Sequence, residues 1–161
     1  MTPNPAYVDE MRKLVRDSKY PQLIGMTLSE LEFDRCRMDI ELDARHTHGF
    51  GVVHGGVFAA LIDSATWWSA YMRLPATAGL VSVDLKLNYL KAMTGGRLRA
   101  EGRCLRSGRQ ISYAEATVHD ETGDIVAHGT STLMALPDKG LDVGVAKFLD
   151  ECRPVPKRCV A

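Results

Sequence analysis

The sequence predicts an α+β domain in which a strongly curved antiparallel sheet wraps around one buried helix. Three observations predict it. Residues 57–72 are apolar on nearly every face, the pattern of a helix enclosed on all sides rather than an amphipathic surface helix. From residue 80 onward, apolar and polar residues alternate with period two through four segments separated by turn residues. One earlier alternating segment, 30–42, adds a further strand.

Taken in chain order, residues 5–18 carry Tyr7, Val8, Met11, Leu14 and Val15 at three- and four-residue spacings, which predicts a short amphipathic helix covering one end of the core. In 30–42 the apolar phase shifts from Leu31 and Phe33 to Cys36, Met38, Ile40 and Leu42, so a bulge or a strand with two partly covered faces is expected. A loop, 43–53, leads into the central helix, which must stop before Pro75. Val81, Val83, Leu85, Leu87 and Tyr89 are expected on one face of the next strand, with Ser82, Asp84, Lys86 and Asn88 on the other. Thr94-Gly95-Gly96, Ser107-Gly108-Arg109 and 120–123 mark turns. The strands 80–89, 97–106, 110–119 and 124–136 therefore read as a consecutive meander. After Pro137 the polarity is mixed, with a helical turn or two expected near 145–151.

At 161 residues and 45% hydrophobic content the chain is sized for one domain spanning 1–161: an N-terminal helix at about 5–18, a core at about 25–136 and a tail at 137–161. Twenty basic and twenty acidic residues cancel, so no overall field favours nucleic acid or an anionic membrane. The N-terminus shows no basic region followed by an apolar run, so no secretory signal is expected and a cytoplasmic location is the default. A membrane-spanning reading of 52–72 is disfavoured by Asp63, Ser64, Thr66, Ser69 and a glycine pair. Cys36, Cys104, Cys152 and Cys159 show no CxxC spacing, so neither a zinc site nor a redox motif is predicted.

The chemistry concentrates around His54-Gly55-Gly56 and Asp63, the one formally charged residue between Arg45 and Arg73. The first turn of a helix has N–H groups to spare, with the positive end of the dipole behind them, and two glycines leave those donors unobstructed. That is the makings of an oxyanion site. Burial would disfavour the charged form of Asp63, raising its pKa towards the range of a general base. One short segment thus supplies an electrophile activator and a candidate base.

These residues resemble the hotdog-fold thioesterases, in particular the phenylacetyl-CoA thioesterase (PaaI) branch and its acyl-CoA thioesterase relatives. The resemblance is carried by Gly51-Val52-Val53-His54-Gly55-Gly56, by Asp63 nine positions after His54, and by Val81-Ser82-Val83-Asp84; Gly108-Arg109 and Ala127-His128-Gly129-Thr130 extend it over about 25–136. It implies the hotdog fold, a sheet wrapped round a long central helix, and metal-free hydrolysis of an acyl-CoA thioester to free acid and CoA, with no cofactor. It further implies that the Gly55 N–H polarises the carbonyl, with Gly56 beside it in the substrate-binding turn. Asp63 activates water or attacks directly, Ser82 orients the water or the carboxylate, and His54 stabilises the loop near the leaving sulfur. His48 stands where the family usually has Asn, so its leaving-group contact differs in kind.

Gly55 and Asp63 are eight residues apart on one helix, about 12 Å at the usual rise, too far to act on one carbonyl carbon. Two copies with antiparallel central helices would bring the helix start of one to the Asp of the other. The resemblance implies the same homodimer with composite sites, leaving a dimer of dimers open. Between Lys86 and Arg109 lie seven basic residues and one acid, Glu101; Arg106 and Arg109 are the candidates for the CoA phosphates. Trp67, one turn beyond Asp63, and Phe58 are the candidate acyl-pocket residues. His46, His48 and His54 lack the acid or Cys that would complete a metal shell, so no metal site is expected. The competing functions are a noncatalytic acyl-CoA binding or sensing protein, and a hydratase or dehydratase on the same fold.

Overall fold

The structure is a computed structural model, describing residues 2–140 and 156–160. The helix expected at 5–18 is α1 (Pro5–Asp17). Asn4 caps it, accepting from the Ala6 N–H at 3.1 Å, and Pro5 enters at the first turn, where its missing donor costs nothing. Tyr7, Val8, Met11 and Val15 form its buried face. A short helix, α2 (Lys19–Leu23), follows.

The phase change in 30–42 has a simpler cause than a bulge within one strand. Two strands occupy this region, β2 (Met26–Leu31) and β3 (Arg35–Leu42), and the apolar set shifts because the chain turns at 32–34 between them. The ladder between them has its own irregularity at Leu28/Glu30. Counting also β1 (Thr2–Pro3), the remaining strands are β4 (Gly79–Tyr89), β5 (Gly96–Ser107), β6 (Ile111–His119), β7 (Ile125–Leu136) and β8 (Cys159–Val160). β1 and β8 pair with each other in a small separate sheet. The helical turn expected near 145–151 lies outside the described residues, as does Cys152.

The main sheet is antiparallel with order β2-β3-β5-β6-β7-β4. The expected four-strand meander is therefore corrected. β5, β6 and β7 follow one another, but β4 pairs with β7 and not with β5, so the connection 90–95 crosses the sheet and leaves β4 as an edge. A period-two pattern reports which face a strand buries, not which strand lies beside it.

The central helix is α3 (Gly55–Tyr71), and Leu61, Ile62, Ala65 and Ala70 have no exposed surface. Each large aliphatic side chain so buried contributes about 1.5–3 kcal/mol. β5 approaches the helix so closely that a Cβ on Gly102 would lie 2.2 Å from the Ala65 carbonyl oxygen, which explains a glycine in mid-strand. The expectation of burial on all sides is corrected along one stripe: Gly56 is exposed, and Ala59, Ala60, Asp63, Ser64 and Trp67 are only partly buried. The six strands cover the rest of the helix, and the stripe lies on the side where β4 ends the sheet.

β4 departs from expectation in a way that shapes the site. Its register against β7 shifts between Ser82 and Asp84, so Val83 is bulged out. Before the bulge, Leu80 is buried and Ser82 reaches α3; after it, Leu85 and Leu87 pack on the core. Val81 and Val83 are 38% and 58% exposed, so the five apolar residues do not share one face.

Candidate functional site

The turn before α3 is held from several sides. Thr47 bridges Val53, the Val53 N–H donates to Met93 O at 2.8 Å and the His54 N–H to His46 O at 2.8 Å. Gly51, at φ 76°, closes the turn with an N–H donated to His48 O. His46 is structural: buried, it accepts the Asp43 N–H at Nδ1 (2.9 Å), and its Nε2 lies 2.8 Å from Ile24 O, where it must donate. With both nitrogens used inside the fold, His46 is no metal ligand, and among the described residues no group of three or more His, Cys, Asp or Glu side chains is placed to hold a metal ion.

His54 caps α3. Its Nδ1 accepts the Gly56 N–H at 2.8 Å, and a Cβ on Gly56 would lie 2.9 Å from that atom, so glycine gives the capping ring its room. Among the described residues the Gly55 N–H has no acceptor and points out of the helix start, with the dipole behind it. His48 is partly buried next door: its ring centroid is 6.4 Å from that of His54, and its Nδ1 accepts the Phe50 N–H at 3.2 Å. Phe50 projects from the turn, almost fully exposed. Phe58, one turn into α3, is buried, with the ring of Tyr89 set edge-on at 6.0 Å.

Asp63 lies two turns further along α3. The expected enclosure is corrected: the carboxylate is only partly buried, on the stripe that the sheet leaves open. Its Oδ1 accepts a hydrogen bond from Ser82 Oγ at 2.7 Å, leaving the second oxygen uncommitted among the described residues. One turn on, Trp67 stacks on Tyr71 at 4.6 Å and donates from Nε1 to Leu80 O at 2.9 Å. That bond pins β4 against α3 two residues before Ser82.

The fold thus joins Asp63 to Ser82, and His48 and His54 to the Gly55-Gly56 turn, but puts the two groups about two turns apart, at the middle and at the start of α3. Of the basic run, Lys91 pairs with Asp120 and Asp124, Arg97 with Glu41, Arg99 with Asp39 and Arg103 with Glu115. Lys86, Arg106 and Arg109 make no ion pair among the described residues and are exposed. Arg109 lines a cleft of about 660 Å³ with Gln110, Ile111, Met134, Thr77 and Pro137. Because Ile111 pairs with Met134 and Met134 with Val81, this cleft lies at the Asp63–Ser82 end of the sheet, away from the Gly55 of the same chain.

Tyr89, read from the sequence only as one residue of a strand's apolar face, meets the helix start. It ends β4, and a Cβ on Gly55 would lie 3.0 Å from its Cζ and its hydroxyl oxygen. The one signal was an aromatic at the polar end of an alternating strand, and nothing in the spacing says which helix turn it meets.

Comparison with known proteins agrees with the geometry. Residues 50–127 match the pattern of the Thioesterase superfamily. The chain is 29% identical over 100 residues to the proofreading thioesterase EntH of Klebsiella pneumoniae, a match covering 62% of this chain and 73% of that one. It is 31% identical over 99 residues to acyl-coenzyme A thioesterase 13 of Mus musculus, covering 60% of this chain and 69% of the relative. Among solved structures, a thioesterase from Haemophilus influenzae superposes with a TM-score of 0.76 at 21% identity, covering 82% of this chain and 92% of its own, which speaks for the hotdog fold. A matching sequence pattern over the helix start and the sheet, a 31% identical relative and a shared architecture converge on one conclusion: the chain belongs to the thioesterase superfamily.

Proposed function

We propose that this protein hydrolyses acyl-CoA thioesters to the free acid and CoA. The observation that carries the reading is the Ser82–Asp63 hydrogen bond of 2.7 Å on the open stripe of α3, which leaves one oxygen of a partly exposed carboxylate uncommitted among the described residues. Superfamily membership and thioesterase-named relatives support thioester hydrolysis as the reaction type. The carbonyl oxygen accepts from the Gly55 N–H, which stabilises the negative charge that grows there as the carbon is attacked. Asp63 supplies the attack through its free oxygen, either by taking a proton from water or by adding to the carbon itself. In the general-base case water's oxygen forms the new C–O bond, the C–S bond breaks, and the proton held by Asp63 passes to the departing thiolate. Ser82 keeps the carboxylate oriented, and His54 fixes the glycine turn by taking the Gly56 N–H. His48 lies on the leaving-group side. Trp67 and Phe58 wall the acyl end from beneath, and Arg106 and Arg109 receive the CoA phosphates.

One carbonyl reaches both Gly55 and Asp63 in a homodimer. β4 is an eleven-residue strand with one edge unpaired among the described residues, a liability that proteins seldom leave exposed. Two copies paired along this edge by a two-fold axis would lay their α3 stripes side by side and antiparallel, with the small residues Gly56, Ala59 and Ala60 permitting close approach. Gly55 of one protomer would then face Asp63 of the partner subunit. The test is release of free thiol from a panel of acyl-CoAs by the protein and by Asp63→Asn. A near-isosteric change should leave the fold intact while turnover falls by about a thousandfold. Binding of acyl-CoA without turnover by the unmodified protein would make it a noncatalytic binder instead.

A further inference from the structure

β4 and α3 meet at two points. At one, Ser82 donates to Asp63; at the other, Tyr89 lies over Gly55, its Cζ and Oη each 3.0 Å from where a Gly55 Cβ would stand. In a helix the Cα–Cβ bond tilts toward the N-terminus, the same end to which the first N–H groups point. The phenol therefore lies beside the helix start from which the free Gly55 N–H projects. Its ring is backed edge-on by the buried Phe58 at 6.0 Å, while the residue stays 58% exposed. Its hydroxyl makes no hydrogen bond within the described residues. A donor held against a rigid backing, open to the site and without an acceptor, lies beside a backbone N–H in the same condition.

We propose that the Tyr89 hydroxyl is a second hydrogen-bond donor to the thioester carbonyl oxygen, acting beside the Gly55 N–H of its own chain. The assignment rests on the acyl-CoA hydrolysis reading above. Two donors converging on one oxygen hold it in place and take up its charge as the carbon becomes tetrahedral. The strand then contributes to both halves of the site, with Ser82 orienting the attacking group and Tyr89 the attacked one. Tyr89 and Gly55 come from one protomer, so both act opposite Asp63 of the partner subunit.

The test uses Tyr89→Phe, which keeps the ring and its contact with Phe58 and removes only the hydroxyl. Turnover of the best acyl-CoA of the panel should fall on the order of a hundredfold, within the range for losing one such donor, with KM changed by less than about threefold. A second readout does not depend on turnover. The probe is phenylacetyl-CoA with its sulfur replaced by methylene and its carbonyl carbon labelled with ¹³C. Bound to Tyr89→Phe, its carbonyl should resonate upfield of its position on the unmodified protein, because a donor to that oxygen is gone. An unchanged resonance overturns the proposal whatever the rate does, as does failure of the probe to bind the unmodified protein. If that protein turns over none of the panel but the resonance still moves, the hydrolysis reading falls while the Tyr89 contact stands.

Discussion

Ser82 Oγ reaches Asp63 Oδ1 at 2.7 Å because β4 is bulged at Val83, which puts Ser82 and the later Leu85 and Leu87 on the same side of the sheet. Without the extra residue, a strand that buries Leu85 and Leu87 would turn position 82 away from the helix. The hydrogen bond is thus a product of one register shift. Ser82→Ala should lower kcat by about tenfold to a hundredfold, the usual worth of a bond to a charged group, with a much smaller change in KM. A rate within twofold of the unmodified protein would show that Asp63 needs no such partner.

Composite sites predict rescue between two inactive proteins. Gly55 is the first residue of α3, and His54, at φ −66° and ψ 135°, already has the backbone that a following proline requires. Gly55→Pro therefore removes the N–H while sparing the helix, at the cost of a nudge to the Tyr89 ring. Gly55→Pro and Asp63→Asn should each be nearly inactive. Unfolded and refolded together, half the dimers are mixed and each mixed dimer holds one complete site, so up to about a quarter of the original activity should return. No recovery from proteins shown to have exchanged subunits would refute sharing.

Phosphate recognition by Arg106 and Arg109 predicts a substrate-dependent KM. Replacing both Arg106 and Arg109 by Ala should raise KM for acyl-CoA by about tenfold or more and leave short thioesters lacking the nucleotide nearly unaffected. The rise should shrink at high salt, since both side chains are solvent-exposed. Equal effects on both substrates would rule out phosphate contacts.

The pH dependence of stability follows from a junction near the site. Lys91 pairs with Asp120 and Asp124 at 2.7 Å each, tying the β6–β7 turn to the loop whose Met93 holds Val53. The Lys91 ammonium, together with the Thr122 hydroxyl, holds Asp120 well below the usual carboxylate range, and the Arg45 guanidinium holds Asp43 down to about 2. Asp120 in turn pushes Lys91 up to about 12. Depressed carboxylates stabilise the fold above an unfolded pKa of about 4, and that contribution is lost as pH falls through their folded values. The raised ammonium stabilises it below about pH 10.4, lost as pH rises through its folded value. The urea midpoint should therefore be level across neutral pH and fall at both ends. Asp120→Asn should flatten the acid limb; an unaltered acid slope would exclude this junction as its source.

The candidate residues stand out in the linear chain because local chemistry singles them out. A lone acid in an apolar helix and a glycine pair at a helix start stand out without knowledge of any contact, and the amphipathic face of α1 follows from spacing alone. Hairpin pairing was less legible: the shift of apolar phase near Phe33 marked a change of direction, and a turn and a bulge both leave that mark in a sequence.

The chain's pattern by itself determined the architecture's ingredients, the central helix and the alternating strands, together with the candidate groups Gly55, Asp63 and Ser82. Only the tertiary structure decided that β4 pairs with β7 and so lies at the edge, that α3 keeps an open stripe, that Lys91, Arg97, Arg99 and Arg103 are committed to ion pairs, and that Tyr89 covers Gly55. The physical reason is range. Periodicity, capping and helix-start chemistry act between residues a few positions apart, whereas strand order and the meeting of Tyr89 with Gly55 depend on how residues distant in the chain close round one core.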